Sequence, residues 1–151
     1  MKILIIEDQL SVQEELRFIL EEYGSIDTAN NGKIGVEAFH NALVNHRHYD
    51  LIIMDIQMPE MDGQEALKKI RQLERDNLPE EDQYDKRKLC TVFMLSTLAT
   101  ESQVVEAFFY GECTDYLTKP VDQEKLIGKM KQHHLLESDH TGGHSWGSWR
   151  K

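Results

Sequence analysis

The chain has 151 residues, which is enough for one compact domain with its own core and cramped for two. Its 27 Asp and Glu residues outnumber its 17 Lys and Arg residues, giving a formal net charge of -10. Because such a surface repels nucleic acid and anionic membranes, we expect direct binding to neither. The N-terminal apolar run is too short for a signal peptide or membrane span, and the two cysteines lack a paired spacing, so we expect a cytoplasmic protein.

The predicted elements alternate between strand and helix along the chain. Short apolar runs predict buried strands, and apolar residues at helical spacing predict helices. In chain order the strands are KILII, SIDTA, DLIIMD, CTVFML and DYLT. The helices that follow them run from Ser11 to Gly24, over KIGVEAFHNALV, from Asp62 through Leu73, over SQVVEAFFYG and over DQEKLIGKMKQHHLL. This alternation predicts an α/β fold with a parallel sheet covered on both faces.

Polar residues mark where several of these helices begin. Ser11 and Glu14 have the spacing of a capping box, in which a hydroxyl and a carboxylate accept hydrogen bonds from the free N–H groups of the first turn. Asp62 and Glu65 have the same spacing before the third helix. We therefore expect the first helix to begin after Ser11 and the third after Asp62.

Two segments do not fit the alternation. Residues 74–88, ERDNLPEEDQYDKRK, form a long charged connection after the third helix, which we interpret as a solvated loop, with a partner-docking element as the alternative. Residues 137–151 are polar and glycine-rich, and we interpret them as a flexible tail, with a docking peptide around Trp146 and Trp149 as the alternative. The domain thus covers residues 1–136, and we expect no output domain after it.

The ends of the predicted strands carry polar residues. Glu7-Asp8 follows the first strand, Asp55 ends the third, Ser96 the fourth, and Lys119-Pro120 follows the fifth. In a parallel α/β sheet these ends share one edge, where ligands bind. Two carboxylates about 4 Å apart repel by roughly 4 kcal/mol at an effective dielectric of about 20, so three of them recruit a cation or take up a proton. Oxygen ligands with open positions favour Mg²⁺.

A phosphoryl group bound next to such a metal would explain why Ser96 and Lys119 lie at the same edge of the sheet. Phosphoryl transfer is catalysed mainly by positioning and charge stabilisation, and Ser96 and Lys119 supply a hydrogen-bond donor and a cation. Asp55 is then the nucleophile that forms an aspartyl phosphate.

These residues occur in motifs by which the chain resembles the receiver domain of two-component response regulators. The motifs are Glu7-Asp8, DLIIMDIQMPEMDG around Asp55, FMLSTLA with Ser96 and DYLTKP with Lys119, and the resemblance covers roughly residues 2–135. It implies a flavodoxin-like (βα)5 fold, a doubly wound parallel sheet with strand order 2-1-3-4-5. It also implies a signalling protein that catalyses only its own phosphorylation and dephosphorylation.

The resemblance assigns a role to each residue of the site. It implies that Asp55 is the phosphoacceptor and Lys119 the phosphate-binding lysine, with Ser96 and Tyr116 as the switch pair. The Lys119-Pro120 bond is cis in this family. The implied Mg²⁺ ligands are the side chains of Glu7, Asp8 and Asp55 and the backbone carbonyl of Gln57. The residues expected to tune the lifetime of the phosphoryl group are Gln57 and Leu98, and an apolar Leu98 predicts slow self-dephosphorylation.

The resemblance also implies the partners. The phosphoryl donor is a sensor histidine kinase or a histidine phosphotransfer protein, and the output is a downstream protein or a second copy of the chain. That output partner binds the face formed by the fourth helix, the fifth strand and the fifth helix. One alternative is a relay intermediate that passes the phosphoryl group to a histidine phosphotransfer protein. A second is a phosphatase of the haloacid-dehalogenase type, which requires an acid where Gln57 lies.

Overall fold

The computed structural model describes residues 1–97, 102 and 113–137 of the chain. The described residues divide into two compact units, one within Met1–Val121 and one that begins at Asp122. Three of the features expected from the sequence lie outside the described residues: Leu98, nearly all of the predicted fourth helix, and the tail beyond residue 137.

A five-stranded parallel sheet forms the first unit, which confirms the predicted fold class. Its strands are β1 Lys2–Ile6, β2 Ser25–Ala29, β3 Leu51–Asp55, β4 Thr91–Ser96 and β5 Asp115–Thr118. They lie in the order β2-β1-β3-β4-β5. The register pairs Asp55 with Leu95 and Ser96 with Thr118, so β3, β4 and β5 end level with one another.

In the described part of the chain, three helices connect these strands: α1 Leu10–Leu20, α2 Gly32–Val44 and α3 Gly63–Asp76. Two short 3-10 turns, Glu80–Asp82 and Lys86–Lys88, follow α3. In the second unit a C-terminal helix covers Gln123–Gln132, and its N-cap residue Asp122 accepts hydrogen bonds from the backbone of Glu124 and Lys125. Of the helices in the described part of the chain, none is both long and apolar enough to cross a membrane.

The core confirms that the central strands of the sheet are buried on both faces, whereas the edge strands β2 and β5 keep exposed residues. Every residue of β3 is buried, and Ile3 through Ile6 of β1 are fully inaccessible to solvent. One face packs against α2 and α3 through a single apolar cluster that includes Leu4, Ile52, Phe39 and Ile70. This burial explains why β1 and β3 are continuous apolar runs without the alternation of a half-exposed strand.

The helix starts agree with the sequence at α3 but not at α1. The Asp62 side chain accepts a hydrogen bond from Glu65 N at 2.9 Å, as expected for an N-cap. At α1, however, the predicted Ser11 cap is wrong, because the helix begins at Leu10 and its N-cap residue Gln9 makes no side-chain cap bond. Only Glu7, Asp8 and Gln9 separate β1 from α1, so Ser11 already lies inside the first turn.

A buried ion pair extends α3 beyond its predicted end. The sequence analysis placed Glu74 at the start of the charged connection, but Glu74 lies within α3 and is 6% exposed. Its Oε1 accepts a hydrogen bond from Arg71 Nη1 at 2.6 Å, and its Oε2 accepts one from Cys90 N at 2.5 Å. Arg71 Nη1 also donates to Cys90 O at 2.8 Å. The Arg71–Glu74 pair therefore connects the end of α3 by hydrogen bonds to Cys90, the residue that precedes β4.

Replacing Arg71 by Met should destabilise the domain strongly. The change leaves the buried Glu74 carboxylate without its cation, a loss that typically costs about 3 to 5 kcal/mol. The measurement is urea unfolding, with Arg75→Met as the control. The Cζ atom of Arg75 lies 5.0 Å from the centroid of the Tyr84 ring. Such a cation–π contact is worth only roughly 0.5 to 1 kcal/mol, so its loss should lower the free energy of unfolding much less. Equal losses in the two variants would contradict the assigned role of the buried pair.

Gly63 and Gly128 should respond to alanine in opposite directions. A Cβ at Gly63 would collide with backbone atoms Asp55 O and Ile56 Cα, whereas a Cβ at Gly128 meets nothing within 4 Å. We expect Gly63→Ala to cost roughly 1 to 3 kcal/mol and Gly128→Ala to stabilise by up to about 1 kcal/mol through helix propensity. Thermal unfolding measures both, and a neutral Gly63→Ala would contradict the close approach.

Candidate functional site

Five side chains predicted for the site lie at the carboxyl ends of four neighbouring strands. Glu7 and Asp8 follow β1, Asp55 is the last residue of β3, Ser96 ends β4, and Lys119 follows β5. One carboxylate oxygen from each of Glu7, Asp8 and Asp55 lies within 4.8 Å of the other two. The parallel sheet thus brings together three acids that are as many as 48 residues apart in the sequence.

Lys119 contacts two of the three acids. Its Nζ donates a hydrogen bond to Asp55 Oδ2 at 3.0 Å and lies 2.8 Å from Glu7 Oε1. Glu7 is fully buried and Asp55 is 6% exposed, whereas Asp8 is exposed. The site is therefore closed at its base and open to solvent on the side of Asp8.

Backbone amides orient the two buried carboxylates. Gln9 N donates to Glu7 Oε2 at 2.9 Å, and Gln57 N donates to Asp55 Oδ1 at 3.2 Å. Each carboxylate thus has one oxygen bound by a backbone amide and the other facing Lys119. Hydrogen bonds to an ionised carboxylate are stronger than those to a neutral acceptor, so both side chains are fixed in orientation.

The pKa values of both Glu7 and Lys119 are raised, for different reasons. Burial raises the pKa of Glu7 to about 7, the Asp55 charge adds to the rise, and the contact with Lys119 and the Gln9 amide oppose it. Burial alone would lower the pKa of Lys119, but its contacts with Glu7 and Asp55 outweigh burial, and the Lys119 pKa lies above its usual value. Lys119 is therefore a permanent cation between the two acids.

The donor set fits Mg²⁺. Neighbouring ligands of an octahedral Mg²⁺ lie roughly 3 Å apart and opposite ligands roughly 4 Å apart, since the metal–oxygen distance is about 2.0 to 2.1 Å. Carboxylate oxygens within 4.8 Å of one another need only a small contraction to reach such distances. Glu7, Asp8 and Asp55 supply oxygen ligands, and the exposure of Asp8 leaves room for the waters that Mg²⁺ retains.

The loop after Asp55 turns the chain sharply away from the site. Gly63 N donates to Ile56 O at 2.7 Å, which closes the loop at its base. Glu60 has a φ of 69°, a left-handed conformation that non-glycine residues rarely adopt. The loop therefore returns the chain next to Asp55 at the start of α3, where the absence of a Cβ on Gly63 permits close approach.

The remaining predicted residues are placed as follows. Ser96 is 2% exposed, and its carbonyl accepts a hydrogen bond from Lys119 N at 2.8 Å. Tyr116 lies in β5 and is 39% exposed, Gln57 is exposed, and the Lys119-Pro120 bond is cis, as expected. Leu98 lies outside the described residues.

One residue next to the site was missed in the sequence analysis. Gln13 Nε2 donates hydrogen bonds to Glu7 O at 2.6 Å and to Asn30 Oδ1 at 2.9 Å. The one signal in the sequence was the position of Gln13 three residues before Leu16 on the apolar stripe of α1, and this spacing alone does not distinguish a buried Gln from a solvated one. A polar side chain at a buried helical position requires a partner, and here the partners are the loops after β1 and β2.

Comparisons with known proteins agree with this geometry. Residues 3–131 match the family model described as the response regulator receiver domain. The chain is 35% identical over 135 residues to hybrid signal transduction histidine kinase B of Dictyostelium discoideum, covering 89% of the chain and 7% of that protein. It is 30% identical over 131 residues to chemotaxis protein CheY of Treponema pallidum, covering 85% of the chain and 79% of that protein.

Solved structures give the same result. Vibrio cholerae chemotaxis protein CheY4 superposes with a TM-score of 0.66 at 26% identity, covering 87% of this chain and 96% of that one. The match to the Saccharomyces cerevisiae co-crystal structure of histidine phosphotransfer protein Ypd1 and the Ssk1 receiver domain has a TM-score of 0.70 at 29% identity, covering 87% of this chain and 84% of the matched one. The chain belongs to the response regulator receiver domain family of two-component signal transduction.

Proposed function

We propose that the chain accepts a phosphoryl group on Asp55 in a Mg²⁺-dependent reaction and signals through the resulting change in conformation. The observation that carries the proposal is the position of Lys119 Nζ, 3.0 Å from Asp55 Oδ2 and 2.8 Å from Glu7 Oε1. A cation held next to Asp55, at the end of the buried strand β3 and beside three converging carboxylates, has an evident use in phosphoryl transfer.

Glu7, Asp8 and Asp55, with the backbone carbonyl of Gln57, are the proposed Mg²⁺ ligands. Three carboxylates against one lysine leave an excess of negative charge, which a divalent cation offsets. When bound, the metal neutralises charge on the phosphoryl oxygens and orients them.

The transfer step uses Asp55 as the nucleophile. An Asp55 carboxylate oxygen attacks the phosphorus of a phosphohistidine, the O–P bond forms, and the N–P bond to the donor imidazole breaks. Lys119 stabilises the negative charge on the phosphoryl oxygens, and the Ser96 hydroxyl donates a hydrogen bond to one of them. Lys119 is already in place for this role, since its backbone N–H is hydrogen-bonded to Ser96 O.

Ser96 and Tyr116 are the proposed switch. Phosphorylation replaces the single charge of the Asp55 carboxylate by a phosphoryl group that carries close to two negative charges, and new hydrogen bonds to Ser96 and Lys119 favour one conformer. Raising an active conformer from about 1% to dominance needs about 5.5 kcal/mol. A few charge-assisted hydrogen bonds at roughly 1.5 to 3 kcal/mol each supply that amount. Tyr116 is 39% exposed, so its ring has room to change rotamer.

The proposed phosphoryl donor is a sensor histidine kinase or a histidine phosphotransfer protein. The proposed output is a downstream protein, or a second copy of the chain, on the face formed by the fourth helix, the fifth strand and the fifth helix of the fold. Gln57 and Leu98 are the residues proposed to tune the lifetime of the phosphoryl group, and the apolar side chain of Leu98, which cannot orient a water molecule, favours a long lifetime. A cytoplasmic location is part of the proposal and is supported by the free thiols of Cys90 and Cys113.

A relay intermediate is the second candidate function. The similarity to a hybrid histidine kinase over 89% of the chain favours it, as does the likeness to a receiver solved with a histidine phosphotransfer protein. The haloacid-dehalogenase alternative is disfavoured, because the chain matches another family and has the amide Gln57 where that mechanism needs an acid. Transfer of phosphoryl from the chain back to a phosphotransfer histidine would distinguish a relay from an end-point regulator.

Asp55→Asn should abolish phosphorylation, because the amide is not a competent nucleophile. The measurement is gel mobility in the presence of a phosphate-binding reagent, after incubation with acetyl phosphate and Mg²⁺. Asp76→Asn makes the same chemical change at an exposed position at the end of α3 and should be phosphorylated like the wild type. An Asp55→Asn protein that is still shifted would contradict the proposed acceptor.

Beryllofluoride with Mg²⁺, a stand-in for the acyl phosphate, should change the spectrum of Tyr116 in the wild type but not in Lys119→Met. The variant lacks the Lys119 ammonium group that would contact the phosphoryl oxygens. The bound analogue therefore makes no contact with the residue that follows β5. NMR of the Tyr116 ring measures the change. An unchanged wild-type spectrum would contradict the switch, and a full response of Lys119→Met would contradict the role of Lys119.

A further inference from the structure

Gln13 is the polar residue on the buried face of α1. That face otherwise consists of Leu16, Ile19 and Leu20, and Gln13 is only 6% exposed. Burying an amide is unfavourable unless its donors and acceptor are hydrogen-bonded, so a Gln at this position requires specific partners.

Both N–H groups of the Gln13 amide have such partners. Nε2 donates to Glu7 O at 2.6 Å and to Asn30 Oδ1 at 2.9 Å. A primary amide has two donor hydrogens, so its donor capacity is fully used. The side chain therefore links α1 to the turn after β1 and to the residue that follows β2.

The Glu7 carbonyl belongs to the peptide group that joins Glu7 to Asp8. The nitrogen of Glu7 is fixed separately by a hydrogen bond to Ala29 O at 3.0 Å, and its carboxylate by the Gln9 amide. The contact from Gln13 fixes the plane of the peptide leading into Asp8. Asp8 is exposed, and this peptide is the first backbone group of the residue that carries its carboxylate.

We propose that Gln13 is a positioning residue for the cation site. It acts through the Glu7–Asp8 peptide, with Asn30 orienting its amide, and it touches neither the metal nor the phosphoryl group. The inference rests on the proposed function, since it concerns the same Mg²⁺ site. Partners that orient metal ligands typically change metal affinity by about 10-fold to 100-fold when removed.

The test is calorimetric titration of the apo protein with Mg²⁺, together with urea unfolding of each variant. Gln13→Leu keeps the volume and the apolar stripe but removes both donors, and we expect Mg²⁺ affinity to fall about tenfold. Asn30→Ala, at an exposed position, should weaken binding less. The double variant should bind as Gln13→Leu does, because both changes act through one contact.

Tyr49→Phe is the matched control. It removes another buried side-chain hydrogen bond, from Tyr49 Oη to Asp27 Oδ2 at 2.6 Å, at a position that precedes β3. It should lower stability and leave Mg²⁺ affinity within about twofold of the wild type. Amide exchange of Asp8 and Gln9 should accelerate in Gln13→Leu and remain unchanged in Tyr49→Phe.

The possible outcomes distinguish the proposed Mg²⁺ site from the proposed positioning role of Gln13. Failure of the wild type to bind Mg²⁺ would overturn the proposed function together with this inference. Wild-type binding with unchanged affinity in Gln13→Leu would overturn the inference alone, as would an equal loss in Tyr49→Phe or additive losses in the double variant. If Gln13→Leu does not fold, Asn30→Ala decides: unchanged affinity and unchanged Asp8 exchange in that variant would overturn the proposal.

Discussion

The contact of one lysine with two buried carboxylates is the interaction on which the site depends. Lys119 lies between Glu7 and Asp55, and without it two acids would face each other at a dry sheet edge. The contact also joins the ends of β1, β3 and β5, so the charge balance of the site and the alignment of three strands are maintained together. In the proposed mechanism, a change in charge at Asp55 acts on the position of β5 through Lys119.

This arrangement explains why an apolar strand ends in an acid. The buried backbone of β3 fixes Asp55 at the carboxyl edge of the sheet. The loop that is closed by the hydrogen bond from Gly63 N to Ile56 O turns the following residues away from the Asp55 carboxylate. The carboxylate is thus rigid and still reachable from the open side at Asp8. As the proposed nucleophile, Asp55 would lose little conformational freedom on reacting, and such positioning is, together with charge stabilisation, the main contribution of a protein to phosphoryl transfer.

Much of the fold and site could be predicted from the sequence because the signals are local. The Ile-rich runs of β1 and β3 and the Asp62 cap each depend on a few neighbouring residues, and a parallel topology then places the strand ends together. Glu74 and Gln13 could not be assigned in this way. Each is a polar residue whose burial depends on a partner distant in sequence, Cys90 and Asn30, and helix periodicity alone does not distinguish such a residue from a solvated one.

The measurement that tests the central claim most directly is the mapping of the phosphoryl group by mass spectrometry, with Mg²⁺ and with a chelator. The protein is incubated with acetyl phosphate and the acyl phosphate is trapped by borohydride reduction before digestion. We predict modification in the peptide that contains Asp55, present with Mg²⁺ and absent with the chelator. Modification at another residue, or at Asp55 to the same extent without the metal, would contradict the account.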